Sequence, residues 1–133
     1  MPDFETDVSN ERRIYQRYRL PLNFTTNNRR AEPMKDHLCN ISKGGACFLS
    51  NAPYHQDDFV LLNFSAQKEV PVDETQFSIV GKIVWVNNNN DKDLFKYGAR
   101  FEFYDDPFSK QQYSQMVSTI NKFISFSSAY RSN

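Results

Sequence analysis

FSIVGKIVWV, residues 77–86, is the longest β-type run in this chain of 133 residues. Large apolar residues recur along it at every second position, so that Phe77, Ile83 and Trp85 share one face of an extended strand. Gly81 lies on that same face, and a glycine inside a strand favours a bend. The run therefore predicts one long, bent strand.

Five shorter β-type runs accompany this strand. A polar loop at residues 87–92 leads into a returning strand at residues 95–103, which predicts a hairpin. The other four runs cover residues 17–25, 34–39, 46–49 and 59–64. Pro21 predicts an edge or bulge position for the first of these. Six such strands predict a mainly β protein, folded as an antiparallel β-barrel that is closed or nearly closed.

The C-terminal part has a helical periodicity instead. Asp105-Asp106-Pro107 is typical of a helix N-cap and first turn. Apolar residues then recur at helical spacing, at Tyr113, Met116, Val117, Ile120 and Ile124. The pattern predicts one amphipathic C-terminal α-helix, whose apolar stripe packs on an open side or mouth of the barrel. Binding of the stripe to a partner is the alternative.

The length of the chain limits the number of domains, and its net charge limits the partners that it can attract. A chain of 133 residues with 39% hydrophobic content is enough for one core but not two. We expect a flexible tail at 1–10, a barrel domain with an N-terminal arginine arm at 11–106, the helix at 107–126 and a tail at 127–133. The formal net charge is +0, so no global field attracts long nucleic acid, and any anion site must be local.

The N-terminal region gives no sign of membrane targeting. No run approaches the roughly eighteen apolar residues of a membrane span, and residues 1–10 are acidic and lack an apolar signal-peptide core. We expect a cytoplasmic protein without membrane contact, and we favour a monomer.

Arginines are concentrated near the N-terminus, where residues 11–17 read ERRIYQR. Arg13 and Arg17 are four residues apart, so they lie on one face of either a helix or a strand and can converge on one ligand. A guanidinium is permanently charged and forked, and it grips a phosphate or the Hoogsteen edge of a guanine through two parallel bonds. Arg12 can join them if the segment is mobile.

A second polar element follows at residues 40–45, NISKGG. Asn40 and Ser42 share a face at a strand end, and their amide and hydroxyl groups suit base edges and phosphate oxygens. Gly44 and Gly45 permit a tight turn with positive φ and let a ligand approach bare backbone N–H groups. The alternative interpretation is an ordinary turn, in which Asn40 and Ser42 bond their own backbone, beside a solvated arginine face.

In these two elements the chain resembles the PilZ domain family, whose pattern is RxxxR followed by [D/N]-x-S-x-x-G. The matching positions here are Arg13, Arg17, Asn40, Ser42 and Gly45. The resemblance extends to residues 81–86 and 97–101, which look like later barrel strands, and it covers roughly residues 11 to 106. The sequence departs from the commoner pattern in having Asn rather than Asp at position 40; both occur in the family.

The resemblance implies a stand-alone receptor for the bacterial second messenger cyclic di-GMP. In the family the arginines hold phosphates and guanine, while the Asn-Ser-Gly turn, here with Gly44, wraps a base. An arginine directly before RxxxR, here Arg12, tends to go with an intercalated cyclic di-GMP dimer. Trp85 stands where members often place an aromatic near the ligand, and its indole could stack on a guanine; its alternative place is the core of the long strand. Arg100 either points towards the same mouth or decorates its strand.

A receptor of this kind needs a way to transmit the signal. We expect the ligand to order the arginine arm, creating a surface that a separate effector protein recognises. The other classes left open are an adaptor that binds protein alone and a small barrel that binds single-stranded nucleic acid.

The residues of the sequence support neither a catalytic site nor a metal site. His37 and His55 lack neighbours at metal-ligand spacing, and Ser42 has no histidine partner visible in the sequence. No P-loop or dinucleotide fingerprint occurs. We therefore expect neither an enzyme nor a cofactor. Cys39 and Cys47 flank the turn, and we expect two reduced, buried thiols there, with a redox switch as the alternative.

Overall fold

A computed structural model describes residues 15–26, 36–66, 76–88, 94–126 and 130–132. In these ranges the chain forms eight strands and one helix. The elements are β1 Arg17–Tyr18, β2 Leu22–Thr26, β3 His37–Ile41, β4 Gly45–Ser50, β5 Phe59–Ala66, β6 Gln76–Asn87, β7 Phe95–Phe101, α1 Pro107–Phe126 and β8 Arg131–Ser132. Every strand pair is antiparallel.

The strands form one sheet in the order β2-β5-β6-β7-β4-β3-β1-β8. β1 and β2 are six strand positions apart in that order, which would be about 29 Å in a flat sheet. Only residues 19–21 join them, and the four Cα steps from Tyr18 to Leu22 reach at most roughly 14 Å. The sheet must therefore curl until its two edges approach each other.

The predicted fold class, a mainly β barrel with a C-terminal helix, is confirmed, and the strand count differs slightly. Six strands have five or more residues, while β1 and β8 have two each. The single first strand expected at residues 17–25 is divided at Leu20 and Pro21. Pro21 has no N–H for a ladder, and the Leu22 N–H turns back to the Leu20 carbonyl at 2.8 Å.

Asp36 links β2 to β3 and β4, with which β2 forms no backbone ladder in the described ranges. Its carboxylate accepts hydrogen bonds from the Thr26 backbone N–H at 2.9 Å and from the Thr26 hydroxyl at 3.1 Å. The Ser50 hydroxyl donates to its other oxygen. These bonds tie the end of β2, an edge strand of the sheet, to Asp36 beside β3 and to Ser50 at the end of β4.

The core lies inside the curl and under α1. On β6 the side chains of Phe77, Ile79 and Ile83 are buried, as their alternation predicts. On α1 the side chains of Met116 and Ile120 are fully buried in the same cluster. The stripe packs on the barrel, and the Gln112 side-chain oxygen accepts a bond from the Ser78 N–H of β6 at 2.7 Å. Among the described residues, no helix has the length and hydropathy of a membrane span.

The long strand has a register irregularity at a position other than Gly81, where a bend was predicted. The register between β6 and β7 shifts between Ile83 and Trp85, not at Gly81. Gly81 leaves space for the side chain of Leu62, because a Cβ at position 81 would lie 2.8 Å from Cδ1 of Leu62. The shift at Val84 ends the strict alternation, and Trp85 is consequently half-buried rather than part of the core.

Asp106 is the N-cap of α1. Its carboxylate accepts bonds from the Ser109 backbone N–H and the Ser109 hydroxyl, both at 2.8 Å. The hydrogen bond from the Ser109 N–H, and to a lesser extent the one from the Ser109 hydroxyl, holds the pKa of Asp106 below its ordinary value. This satisfies one of the N–H groups that the first helical turn leaves without an intrahelical partner.

We expect Asp106→Ala to lower the urea midpoint of unfolding, whereas Asp106→Asn should retain most of the stability because asparagine also caps helices well. A carboxylate with a depressed folded-state pKa stabilises above its unfolded pKa, and this contribution disappears as pH falls through the folded pKa. The wild-type advantage over Asp106→Asn should therefore shrink on acidification. Urea titrations at neutral and acidic pH measure this, and an unchanged midpoint for Asp106→Ala would contradict it.

Candidate functional site

A cavity of about 530 Å³ opens where several strands meet the turn after β3. It brings together six of the eight predicted ligand residues, namely Arg17, Asn40, Ser42, Gly44, Gly45 and Trp85. Arg12 and Arg13 lie outside the described residues. The cavity thus unites the described parts of both sequence elements with a residue from the long strand.

Strand pairing explains this convergence. Tyr18 of β1 is paired with Ile41 of β3, so Arg17 lies beside the end of the strand that carries Asn40. Gly45, at the start of β4, is paired with Arg100 of β7. Four neighbouring strands of the sheet therefore meet here, and β6 completes the wall through Val84 and Trp85.

Ser42 organises the turn itself. Its hydroxyl oxygen accepts bonds from the N–H groups of Gly44 at 3.1 Å and Gly45 at 3.2 Å, and its own N–H donates to the Gly45 carbonyl at 2.8 Å. The expectation of bare glycine N–H groups is therefore wrong for this conformation. Ser42 is 9% exposed, and its bonds fix the shape of the turn.

The two glycines of the turn are required for space. The expected positive φ is absent from the glycines of the described ranges, including Gly44 and Gly45. A Cβ on Gly45 would lie 2.3 Å from the carbonyl oxygen of Ala99 in β7, and one on Gly44 would lie 2.9 Å from Cδ2 of Tyr15. The turn thus presses directly on a neighbouring strand and on a tyrosine ring.

Two aromatic rings of the cavity wall lie against backbone. The Tyr15 ring packs over Gly44, and the Trp85 indole lies over Gly98, where a Cβ would be 2.1 Å from Nε1. Any side chain at position 98 would displace that indole. Since Tyr15 is 42% exposed and Trp85 half-buried, both can offer apolar surface to a planar ligand.

The positive charge of the cavity comes from Arg17 and Arg100. Arg100 Nε lies 3.7 Å from Oε2 of Glu102, which also lines the cavity. Arg17 is half-buried and, in the described part of the chain, forms no ion pair with a carboxylate. Arg17 is therefore the cation best placed to receive an anionic group.

Ten of the sixteen lining residues were not among the predicted ligand residues, and three of these ten are Tyr15, Gly98 and Cys47. Tyr15 stands two positions before Arg17, a spacing that places both on one face of an extended segment. Gly98 is a strand glycine, which signals close approach of another group. Cys47 also lines the cavity, and Asn40 is its partner in the β3–β4 register.

The second pocket of the described residues does not contain the predicted ligand residues. It is a more open groove of about 600 Å³ that runs along α1, from Tyr113 to Ser125. The described residues include no cluster of three or more His, Cys, Asp or Glu arranged to hold a metal. His55 Nδ1 lies 3.7 Å from Oδ2 of Asp58, and neither His37 nor His55 lines the cavity.

A comparison with protein families finds that the PilZ domain model matches residues 11–118. The matched range covers most of the chain, from the first arginines into α1, and it includes both sequence elements of the cavity. A search of curated proteins found no significant match.

Proposed function

Because the chain belongs to the PilZ domain family, we propose that it is a receptor that binds cyclic di-GMP in the cavity around Arg17. The family consists of regulatory receptor domains and is not a catalytic one. The observation that carries the proposal is the convergence of Arg17, Asn40 and Ser42 on one cavity. Arg17 lies on a different strand from Asn40, and the pairing of β1 with β3 brings it beside the turn that Ser42 organises.

The chemistry of the wall suits this ligand. Cyclic di-GMP carries two phosphate charges and two guanine bases, and Arg17 can bond to either a phosphate or a Hoogsteen edge. Asn40 offers an acceptor and donors for a base edge. The rings of Tyr15 and Trp85 supply stacking surface. A cavity of about 530 Å³ falls in the range of roughly 300–1,000 Å³ that small-molecule sites occupy.

Arg12 and Arg13 complete the site from the N-terminal arm, defined as residues 11–17. Arg13 joins Arg17 on the phosphates and guanine, and Arg12 supplies further contacts to a second, intercalated nucleotide. Binding orders the arm against the barrel and forms a surface that a separate effector protein recognises. On this proposal the protein acts in the bacterial cytoplasm.

Isothermal titration with cyclic di-GMP tests the receptor function. We expect two nucleotides per chain and loss of tight binding in Arg13→Ala, which removes one guanidinium of the motif. One nucleotide per chain would contradict the intercalated dimer. Absence of binding by the wild-type protein would contradict the receptor function and favour an adaptor that binds protein alone. Salt-dependent binding of single-stranded RNA without cyclic di-GMP binding would favour the nucleic-acid class.

Hydrogen exchange tests the transmission step separately. Saturation with cyclic di-GMP should slow amide exchange within residues 1–17, because the arm gains contacts with the ligand. Exchange in the paired strand β5 provides an internal control and should change little. Unchanged exchange in residues 1–17 at saturation would contradict ordering of the arm.

A further inference from the structure

Two thiols lie on the adjacent strands β3 and β4 beside the cavity. In the β3–β4 register Leu38 is paired with Phe48 and Asn40 with Cys47, so Cys39 is the extra residue of a β-bulge. A bulge sets two residues of one strand against one residue of the other, here Cys39 and Asn40 against Cys47. The thiols of Cys39 and Cys47 are close enough for each to shift the pKa of the other.

The geometry of adjacent strands permits a disulfide. Cys47 is the Cα partner of Asn40, and such partners in antiparallel strands lie about 4.5–5.5 Å apart. The bulge places Cys39 next to this pair, and disulfides span Cα distances of about 4.4–6.8 Å. Both cysteines are free, and they are the only two in the sequence. A bond between them would leave no third thiol to compete.

The two thiols differ in reactivity. The hydrogen bond from Cys47 lowers the pKa of Cys39 to about 7, against the opposing effect of burial and with help from Lys96 and Arg19. The same hydrogen bond and burial raise the pKa of Cys47, although Lys96 and Arg17 act in the other direction. Cys39 is half-buried and Cys47 is buried. Because Cys39 is the more exposed of the two thiols, it is the one that meets the oxidant first, and Cys47 is the thiol that reacts with its oxidised form.

We propose that Cys39 and Cys47 form an oxidation-sensitive pair that hydrogen peroxide closes to a disulfide, and that closure reshapes the adjoining cavity. In the first step the Cys39 thiolate attacks a peroxide oxygen. The O–O bond breaks, and Cys39 becomes a sulfenic acid while hydroxide leaves and takes a proton as water. In the second step the Cys47 sulfur attacks the Cys39 sulfur, its proton leaves with the displaced hydroxide as water, and the S–S bond forms. Two electrons pass from the thiols to the peroxide.

Asn40 connects the disulfide with the cavity. It follows Cys39 in the bulge and faces Cys47 in the register, and both Asn40 and Cys47 line the cavity. Drawing the two sulfurs into a covalent bond shifts this part of the wall relative to Arg17. If the proposed function is correct, on which this step rests, oxidation weakens cyclic di-GMP binding by about tenfold, within the range of typical coupling factors.

Mass spectrometry of the full chain, treated with increasing hydrogen peroxide, tests the chemistry. We expect the intact mass to fall by two hydrogens, a cross-linked peptide joining Cys39 to Cys47, and full reversal by dithiothreitol. Cys39→Ser and Cys47→Ala, treated identically, should give no such product. Accumulation of sulfinic acid on Cys39 without the cross-link, or disulfides only between chains, would overturn the proposal.

Two readouts separate this proposal from the proposed function. Trp85 is the only tryptophan and lines the cavity, so its emission should change on oxidation without nucleotide in the wild type but not in Cys39→Ser. An unchanged emission would overturn the reshaping of the cavity. Titration with cyclic di-GMP then compares the reduced and oxidised forms. Equal affinities would overturn the coupling, whereas absence of binding by the reduced protein would contradict the receptor function and leave the mass and fluorescence results standing.

Discussion

Arg17→Ala should weaken cyclic di-GMP binding by about a hundredfold. Hydrogen bonds to a charged group contribute about 1.5–3 kcal/mol, and a hundredfold loss corresponds to roughly 2.7 kcal/mol. Arg17 belongs at the upper end of that range because its guanidinium is half-buried in the cavity wall and forms no ion pair with a carboxylate of the described residues. Isothermal titration at fixed salt measures the change.

Arg19→Ala is the matched control for this variant. It removes the same charge two residues away, at an exposed position outside the cavity lining. The Arg19 backbone N–H donates to the Tyr130 carbonyl at 2.7 Å, and the substitution leaves that bond in place. Arg19→Ala should therefore bind nearly as the wild type does. Similar affinities for the two variants would show that general charge, rather than the position of Arg17, governs binding.

The fold class could be predicted from the sequence because the alternation of apolar residues, the turn residues and the helical spacing are local signals. Alternation predicted which β6 residues, such as Phe77 and Ile83, enter the core. It could not predict where the register slips, since the shift beside Trp85 depends on pairing with β7. The sequence therefore left two positions open for the tryptophan, and the tertiary pairing puts it in the cavity wall.

Some residues of the candidate site could likewise be predicted from local sequence, and others could not. The spacing of the motif identified Arg17, Asn40 and Ser42, which the fold brings to one cavity. The sequence could not reveal that Tyr15 covers Gly44 or that Trp85 covers Gly98, because these contacts join residues far apart in the chain. It also assigned the glycines of the turn a backbone conformation, where the fold requires the absence of a side chain.

Gly45→Ala should lower the stability of the fold and disrupt the cavity together. The new Cβ would lie 2.3 Å from the carbonyl oxygen of Ala99 and 3.3 Å from its carbonyl carbon. Both are backbone atoms of β7, which is paired with β4 from Gly45 to Ser50, so relief requires the two strands to separate at this end. Overpacking of this kind costs about 1–3 kcal/mol. Urea denaturation followed by circular dichroism measures the loss.

Gly44→Ala is the corresponding control, because the chemical change is identical and the neighbour differs. A Cβ at position 44 would meet the ring of Tyr15 at 2.9 Å, and that ring is 42% exposed and ends a flexible side chain. The ring can move aside, so the urea midpoint should stay close to that of the wild type. Equal midpoints for Gly45→Ala and Gly44→Ala would contradict the steric role of Gly45. A lower midpoint for Gly45→Ala alone would show that contact of the turn with β7 helps to hold the cavity wall together.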